Sequence, residues 1–175
     1  MNTPAVQWET WYAPLLGRKL QAVAFLSLQP DTPDLVAALD GRLLDFNGAT
    51  QLVFEPDDNL YLTWAQFGFE FGLFAGNCLQ DLWRPHALDT IHRSAGWDNL
   101  ENATLRSVGF YGCDVAQDAD LIVAAAHRFD GGPSPVTLWV STGFNGKAGA
   151  GDDMVVSLDA EPPAESSLTL KRTVQ

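Results

Sequence analysis

The feature that most constrains the fold is an apolar pattern that occurs twice in the chain, at a separation of 75 positions. The matched pairs are Phe54 and Phe129, Trp64 and Trp139, Gly68 and Gly143, and Phe69 and Phe144. In each stretch, apolar residues spaced two apart flank a segment rich in Pro, Gly, Asp or Asn, which predicts a β-hairpin. We therefore expect two similar hairpins, with the matched aromatic residues in the core.

A second apolar pattern, with a separation of 85 positions, precedes the first. The paired positions are Tyr12 and Trp97, Leu15 and Leu100, Gly17 and Asn102, Leu20 and Leu105, Val23 and Val108, and Phe25 and Phe110. Gly and Asn are the residues that most readily adopt a positive φ, so Gly17 and Asn102 predict equivalent turns. Together the two patterns predict an internal repeat of residues 12–69 and 97–144, joined by a connection over residues 70–96.

These patterns predict the fold class. We expect a single domain, residues 1–175, of the α+β class and mainly antiparallel β, in which two copies of a β-meander and hairpin unit form one pseudo-two-fold domain. Short helices are expected at the connections, over residues 8–16 and 35–39. Asn47-Gly48 is a tight-turn signal that would continue the meander, and further strands are expected within residues 154–175.

The charge of the chain limits its partners. With 22 acidic and 10 basic residues, the net charge is −12, which opposes binding to nucleic acid phosphates or to an anionic membrane surface and favours a basic protein partner. The first residues lack the pattern of a signal peptide, and no apolar run reaches the length of a membrane span. Two cysteines, Cys78 and Cys113, are too few for a disulfide framework, so the expected location is the cytoplasm.

Motifs for chemistry are weak in this chain. The glycine-rich stretch 143–151 lacks the spacing of a phosphate-binding loop, and Cys78, His86 and His92 lack the paired spacing of zinc ligands. We therefore expect neither a metal nor a cofactor. Cys113 and His127 lie on neighbouring predicted strands and could form a nucleophile and base, although a buried thiol and a structural histidine is the simpler interpretation.

Two functions are compatible with these features of the sequence. The first is a non-enzymatic protein of the inhibitor or immunity type that binds a basic macromolecular partner. Its partner-binding residues would be Asp81, Trp83, Arg84, His86 and Asp89, because Trp and Arg commonly anchor interfaces and the carboxylates attract positive charge. The alternative is an enzyme or small-ligand binder that uses a cleft between the two repeats, with His86, His92 and Asp152 as its polar groups.

Overall fold

The computed structural model describes residues 5–27, 36–77, 86–87, 96–131 and 134–175. An α-helix, α1 (Ala5–Tyr12), runs directly into a 3-10 turn (Ala13–Leu15), and a second 3-10 turn covers Trp97–Leu100. The strands of the described residues are β1 (Leu20–Ser27), β2 (Val36–Ala38), β3 (Leu43–Phe46), β4 (Gly48–Phe54), β5 (Asp58–Phe67), β6 (Glu70–Gly76), β7 (His86–Ala87), β8 (Thr104–Cys113), β9 (Ala124–Asp130), β10 (Val136–Phe144), β11 (Lys147–Ala148), β12 (Asp153–Leu158) and β13 (Leu168–Val174).

The strands form two mostly antiparallel sheets. The first sheet has the order β6-β5-β4-β1-β7, and the second has the order β13-β8-β9-β10-β12-β3-β2, with β11 paired to β10 beside this path. This architecture confirms the mainly antiparallel β class, with one short α-helix among the described residues. Each sheet contains three neighbouring antiparallel strands that we call its meander, β1-β4-β5 in the first and β8-β9-β10 in the second. In the first, β2 and β3 of the other sheet separate β1 from β4 along the chain.

One apolar core lies between the two sheets. Phe54 at the end of β4 and Phe129 near the end of β9 are both fully buried, and their rings stack across the core with centroids 6.5 Å apart. The N-terminal helix closes one side of this core, because its residues Trp8 and Tyr12 pack their rings on Phe110 of β8 at 4.8 Å and 5.4 Å. Side chains four positions apart lie on the same face of a helix, which explains why both can contact Phe110.

The two sheets are also joined by backbone hydrogen bonds where β1 and β8 begin. Gly17 N–H donates to Leu105 C=O at 2.8 Å, and Asn102 N–H donates to Leu20 C=O at 2.8 Å. Lys19 and Thr104 form an antiparallel bridge between these two bonds. Gly17 has φ 78° and Asn102 has φ 63°, so the positive φ expected at both positions is present.

The two meanders share their register on one side only. Leu20 is opposite Phe54 and Leu105 is opposite Phe129, so these pairs occupy matching positions. In the hairpins, however, Phe54 faces Asp58 whereas Phe129 faces Val136, because the second turn is three residues longer. The sequence match of Trp64 with Trp139 is therefore wrong as a structural equivalence, since it assumes turns of equal length.

The matched residues that follow in the sequence also differ in the structure. Trp139 is buried on the outer face of the second sheet, whereas Trp64 is partly buried against the core between the sheets. Gly68 and Phe69 form a turn, and Phe69 is 97% exposed, while Phe144 ends β10 and is 53% exposed. The expected core position of Phe69 and Phe144 is therefore wrong.

Two local predictions between β1 and β4 are also wrong. Residues 36–38 form a strand, β2, rather than part of a helix, and they pair with β3 at the edge of the second sheet. Asn47-Gly48 is not a hairpin turn, because β3 belongs to the second sheet and β4 to the first, so the chain crosses between the sheets at Asn47. The first residues of the predicted connection, 70–76, form β6.

The positive φ of Gly17 generates a testable prediction. A Cβ atom at Gly17 would have no neighbour within 4 Å, so any cost of substitution comes from the backbone alone. Gly17→Ala is expected to lower the free energy of unfolding by about 1 kcal/mol, and Gly17→Asn by less, because Asn accepts a left-handed conformation more readily. Urea denaturation measures both.

Asn102→Gly is the matched control for these variants. It is expected to change the free energy of unfolding by only a few tenths of a kcal/mol, since Gly adopts positive φ without strain. An unchanged urea midpoint in Gly17→Ala would contradict the turn assigned to Gly17.

Candidate functional site

The predicted partner-binding residues fall mostly outside the described part of the chain. Asp81, Trp83, Arg84 and Asp89 lie outside the described residues, as does His92 of the proposed cleft. His86 is described only by its backbone, which pairs with Ser27 at the edge of the first sheet. Asp152 is exposed in the segment between β11 and β12.

Cys113 and His127 do not form a catalytic pair. They lie on neighbouring strands, but Cys113 packs on the outer face of the second sheet, whereas His127 faces the core. Burial raises the pKa of the Cys113 thiol, and the carboxylates of Glu70 and Glu165 raise it further. A thiol with a raised pKa is a poor nucleophile at neutral pH.

His127 instead anchors the N-terminal helix. Its ring is fully buried, with Nε2 2.7 Å from the Tyr12 hydroxyl and Nδ1 3.1 Å from the Leu138 carbonyl oxygen. A carbonyl oxygen only accepts, so Nδ1 carries the proton and Nε2 accepts from the Tyr12 hydroxyl. Burial lowers the pKa of His127 to about 4 and raises that of Tyr12, so both groups are neutral at pH 7.

One candidate site is a hollow on the outer face of the second sheet, with a volume of about 410 Å³. We call it the outer-face hollow. Its floor follows a row of residues across neighbouring strands, in which Gly109 pairs with Ala126 and Ala126 pairs with Trp139. Ala126 leaves space at the centre of this row, Trp139 ends the row, and the side chains of Tyr111 and Leu170 pack over Gly109. Tyr111 lines one flank and contacts Trp139, with ring centroids 4.9 Å apart.

Gly109 is required for this shape. A Cβ atom at Gly109 would lie 3.1 Å from the Tyr111 ring and 3.2 Å from the Leu170 side chain, closer than ordinary van der Waals contact. Leu170 is 52% exposed and forms the adjoining apolar wall. The glycine therefore lets an aromatic and an aliphatic side chain approach each other at the edge of the hollow.

Charged groups surround the hollow unequally. Asp159, Glu161 and Arg128 line it, and all three are exposed. Arg128 lies on the flank opposite Tyr111 and pairs across the strands with Thr137, beside which Asp159 lies. Burial raises the pKa of Tyr111, and the negative charge of Glu161 raises it further, which places that carboxylate near the phenol. Asp159 is fixed in position because its Oδ1 accepts a hydrogen bond from Thr137 N–H at 3.0 Å.

Further carboxylates collect along the same part of β8. Glu70 and Glu165 both act on the Cys113 thiol, although they come from distant segments of the chain. Asp114 accepts a hydrogen bond from the Thr169 hydroxyl at 3.2 Å, which holds it beside β13. We call Glu70, Asp114, Glu161 and Glu165 the acidic face. It borders the outer-face hollow, because Tyr111, which lines the hollow, lies two positions before Cys113 on β8.

A smaller cleft of about 210 Å³ lies where the two halves of the chain meet. One wall is the start of β1, including Gln21 and Ala22, and the other is the 3-10 turn around Trp97 with the carboxylates of Asp98 and Glu101. Asp98 and Glu101 are exposed, and Trp97 is buried with its Nε1–H donated to the Gly41 carbonyl at 2.9 Å. The cleft therefore has a fixed aromatic wall and an acidic entrance.

Comparison with family models, with curated proteins and with solved structures gives no match for this chain. Within the described ranges, no helix is long and apolar enough to cross a membrane. The same residues contain no group of three or more His, Cys, Asp or Glu side chains placed to hold a metal ion.

The sequence patterns indicate none of the residues of the outer-face hollow as a site residue, although they single out Trp139 as a core position. The available signal was the alternation of small residues with core residues, Gly109 with Phe110 in β8 and Ala126 with His127 in β9. Such alternation indicates an outer strand face without large side chains. It does not show that two such strands are neighbours, or that an aromatic residue of a third strand ends the row.

Burial of His127 predicts a pH dependence of stability. The pKa of His127 in the folded state, about 4, lies below the ordinary value of 6.5. Between pH 4 and pH 6.5 the unfolded chain therefore binds this proton more strongly than the folded chain does. Above pH 6.5, titration of His127 therefore does not change the free energy of unfolding. As the pH falls toward 4, it lowers the free energy of unfolding by about 3 kcal/mol in total.

The double variant Tyr12→Phe/His127→Leu provides the test, because it removes both polar partners together. The free energy of unfolding of the wild type minus that of the variant is expected to fall as pH is lowered from 6.5 to 4. All other titrating groups are common to both proteins. A pH-independent difference, or a His127 ring that titrates near 6.5 by NMR, would contradict the assignment.

Proposed function

We propose that this protein is a non-enzymatic, acidic binding protein whose partner is a basic macromolecule, in the manner of an inhibitor or immunity protein. The observation that carries the proposal is the net charge of −12, together with the acidic face. Most described carboxylates are exposed, including those of Asp114, Glu161 and Glu165, so their charge extends into solvent. Such a field accelerates association with a partner of opposite charge.

Specific binding also needs side chains that lose water at the interface. We propose that Trp83 and Arg84, with Asp81, His86 and Asp89, contribute these contacts, because Trp and Arg are the residue types most often found as interface anchors. The location that we propose is the cytoplasm, which the buried free thiol of Cys113 supports.

The fold supports a further part of this proposal, that residues 12–69 and 97–144 derive from one repeated unit and are related by an approximate two-fold axis. The hydrogen bond from Gly17 to Leu105 and that from Asn102 to Leu20 exchange when each residue is replaced by the one 85 positions away. Contacts of this reciprocal kind are those of a two-fold interface. Phe54 stacks on Phe129, its partner at 75 positions, as residues near such an axis would.

A second candidate function has one observation in its favour. The cleft of about 210 Å³ between β1 and the turn at Trp97 lies between the two proposed repeats. Pockets at junctions of this kind often bind small molecules. The alternative is therefore a small-ligand binder or an enzyme. The polar lining residues of this cleft are Gln21, Asp98 and Glu101, whereas the sequence patterns propose His86, His92 and Asp152 for a cleft between the repeats.

The proposed binding function is tested by capture followed by measurement with a purified partner. The immobilised protein is exposed to cell extract at low salt, and retained proteins are identified and purified. We expect a basic partner whose association rate falls roughly tenfold or more at high salt, because salt screens exposed charges. Trp83→Ala should weaken the complex, since a truncated anchor commonly costs about 2 kcal/mol or more, or about 30-fold in Kd.

Phe69→Ala is the matched control, because Phe69 is an aromatic residue that is 97% exposed in a turn of the first sheet. It is expected to leave the affinity unchanged. Absence of any partner at either salt, together with a small molecule that co-purifies with the protein, would contradict the proposal and favour the cleft.

A further inference from the structure

We infer that the outer-face hollow receives one arginine side chain of the basic protein partner. This inference rests on the proposed function and names the contact that the partner would make. It places the recognition of positive charge on the second sheet, at residues that the sequence patterns do not indicate as site residues.

The floor of the hollow suits the stem and the plane of an arginine side chain. The Tyr111 ring and the Leu170 side chain pack over Gly109. Ala126 presents only a methyl group beside them, so an alkyl chain can lie on Ala126 between Tyr111 and Trp139. Tyr111 and Trp139 stand beside this floor with their rings in contact. A guanidinium group is planar and only weakly hydrated, so it stacks on aromatic rings more readily than an ammonium group does.

The charges at the ends of the hollow fix the orientation of that side chain. Glu161 lies near the Tyr111 phenol and Asp159 is held by Thr137, so the hollow has one carboxylate on its Tyr111 side and another beside Thr137. Each can accept a charge-assisted hydrogen bond from a guanidinium group. Arg128 also lines the hollow and pairs across the strands with Thr137, so its positive charge repels a guanidinium group there and directs it toward Glu161.

The shape favours a side chain carried by a protein over a free small molecule. The hollow lies on a sheet face, and its wall residue Leu170 is 52% exposed. Sites for free small molecules are normally concave enough to bury most of the ligand. For an arginine on a docked partner, the surrounding interface excludes the water that the hollow alone does not. The acidic face borders this interface.

The test uses the full chain and two peptides that differ in charge alone. The first is an acetylated and amidated glycine–arginine–glycine peptide, and the second replaces arginine with citrulline, its neutral isostere. Titration at low salt is followed by NMR. We expect the arginine peptide to shift the amide resonances of Gly109, Ala126 and Trp139, and the citrulline peptide to bind roughly tenfold more weakly or not at all.

Two matched variants locate the effect. Glu161→Gln removes a carboxylate of the hollow and is expected to raise the Kd of the arginine peptide by roughly tenfold. Glu101→Gln removes one charge from an exposed carboxylate of the separate cleft and is expected to raise it by less than about twofold. Equal binding of both peptides, equal effects of both variants, or no shift at the hollow with the arginine peptide would each overturn the inference.

Failure of this inference differs from failure of the proposed function. Suppose that a basic partner is identified and that it binds wild type and Glu161→Gln with equal affinity and with the expected salt dependence. This result overturns the role of the hollow and supports the proposed binding of a basic partner. If the arginine peptide binds but no basic protein partner is found, the claim that the arginine belongs to a protein partner is overturned.

Discussion

The structure depends on the antiparallel bridge between Lys19 and Thr104, where the first strands of the two meanders meet. Its flanking bonds, from Gly17 to Leu105 and from Asn102 to Leu20, require the chain to turn immediately before each strand. That requirement explains the positive φ at Gly17 and Asn102. Because the bridge fixes both strands at their beginning, it also sets how the sheets are stacked around the core, including the contact of Phe54 with Phe129.

The buried pair of Tyr12 and His127 extends this arrangement to the N-terminal helix. A neutral imidazole that is bonded on both nitrogens positions the helix, and it is removed from solvent and from substrates. Among the described residues, the exposed titratable groups are mostly carboxylates, and Asp159, Glu161 and Glu165 are among those beside the outer face of the second sheet. The buried titratable pair therefore stabilises the fold, and the charge of the protein lies at its surface.

The sequence contains enough local information to predict strands and turns, because alternation and turn residues act over a few positions. The turns at Gly17 and Asn102 are predictable for this reason. The crossing between the sheets at Asn47 is not predictable in this way, because an Asn-Gly pair suits both a hairpin and a crossover. The pairing of β3 with β12, which is distant in the sequence, decides between the two. The sheet face that Trp139 occupies depends on the second hairpin turn, which is three residues longer than the first. The outer-face hollow depends on which strands become neighbours in the sheet.

Native-state hydrogen exchange tests whether the paired amides around Lys19 and Thr104 join both halves of the chain into one cooperative unit. The amides of Gly17 and Asn102, and those of Leu20 and Leu105, are all donors in this region. We expect all four to exchange with the free energy of global unfolding, and the two members of each pair to agree within about 0.5 kcal/mol. Exchange of the Gly17 and Leu20 amides through a local opening, while those of Asn102 and Leu105 stay protected, would contradict this coupling.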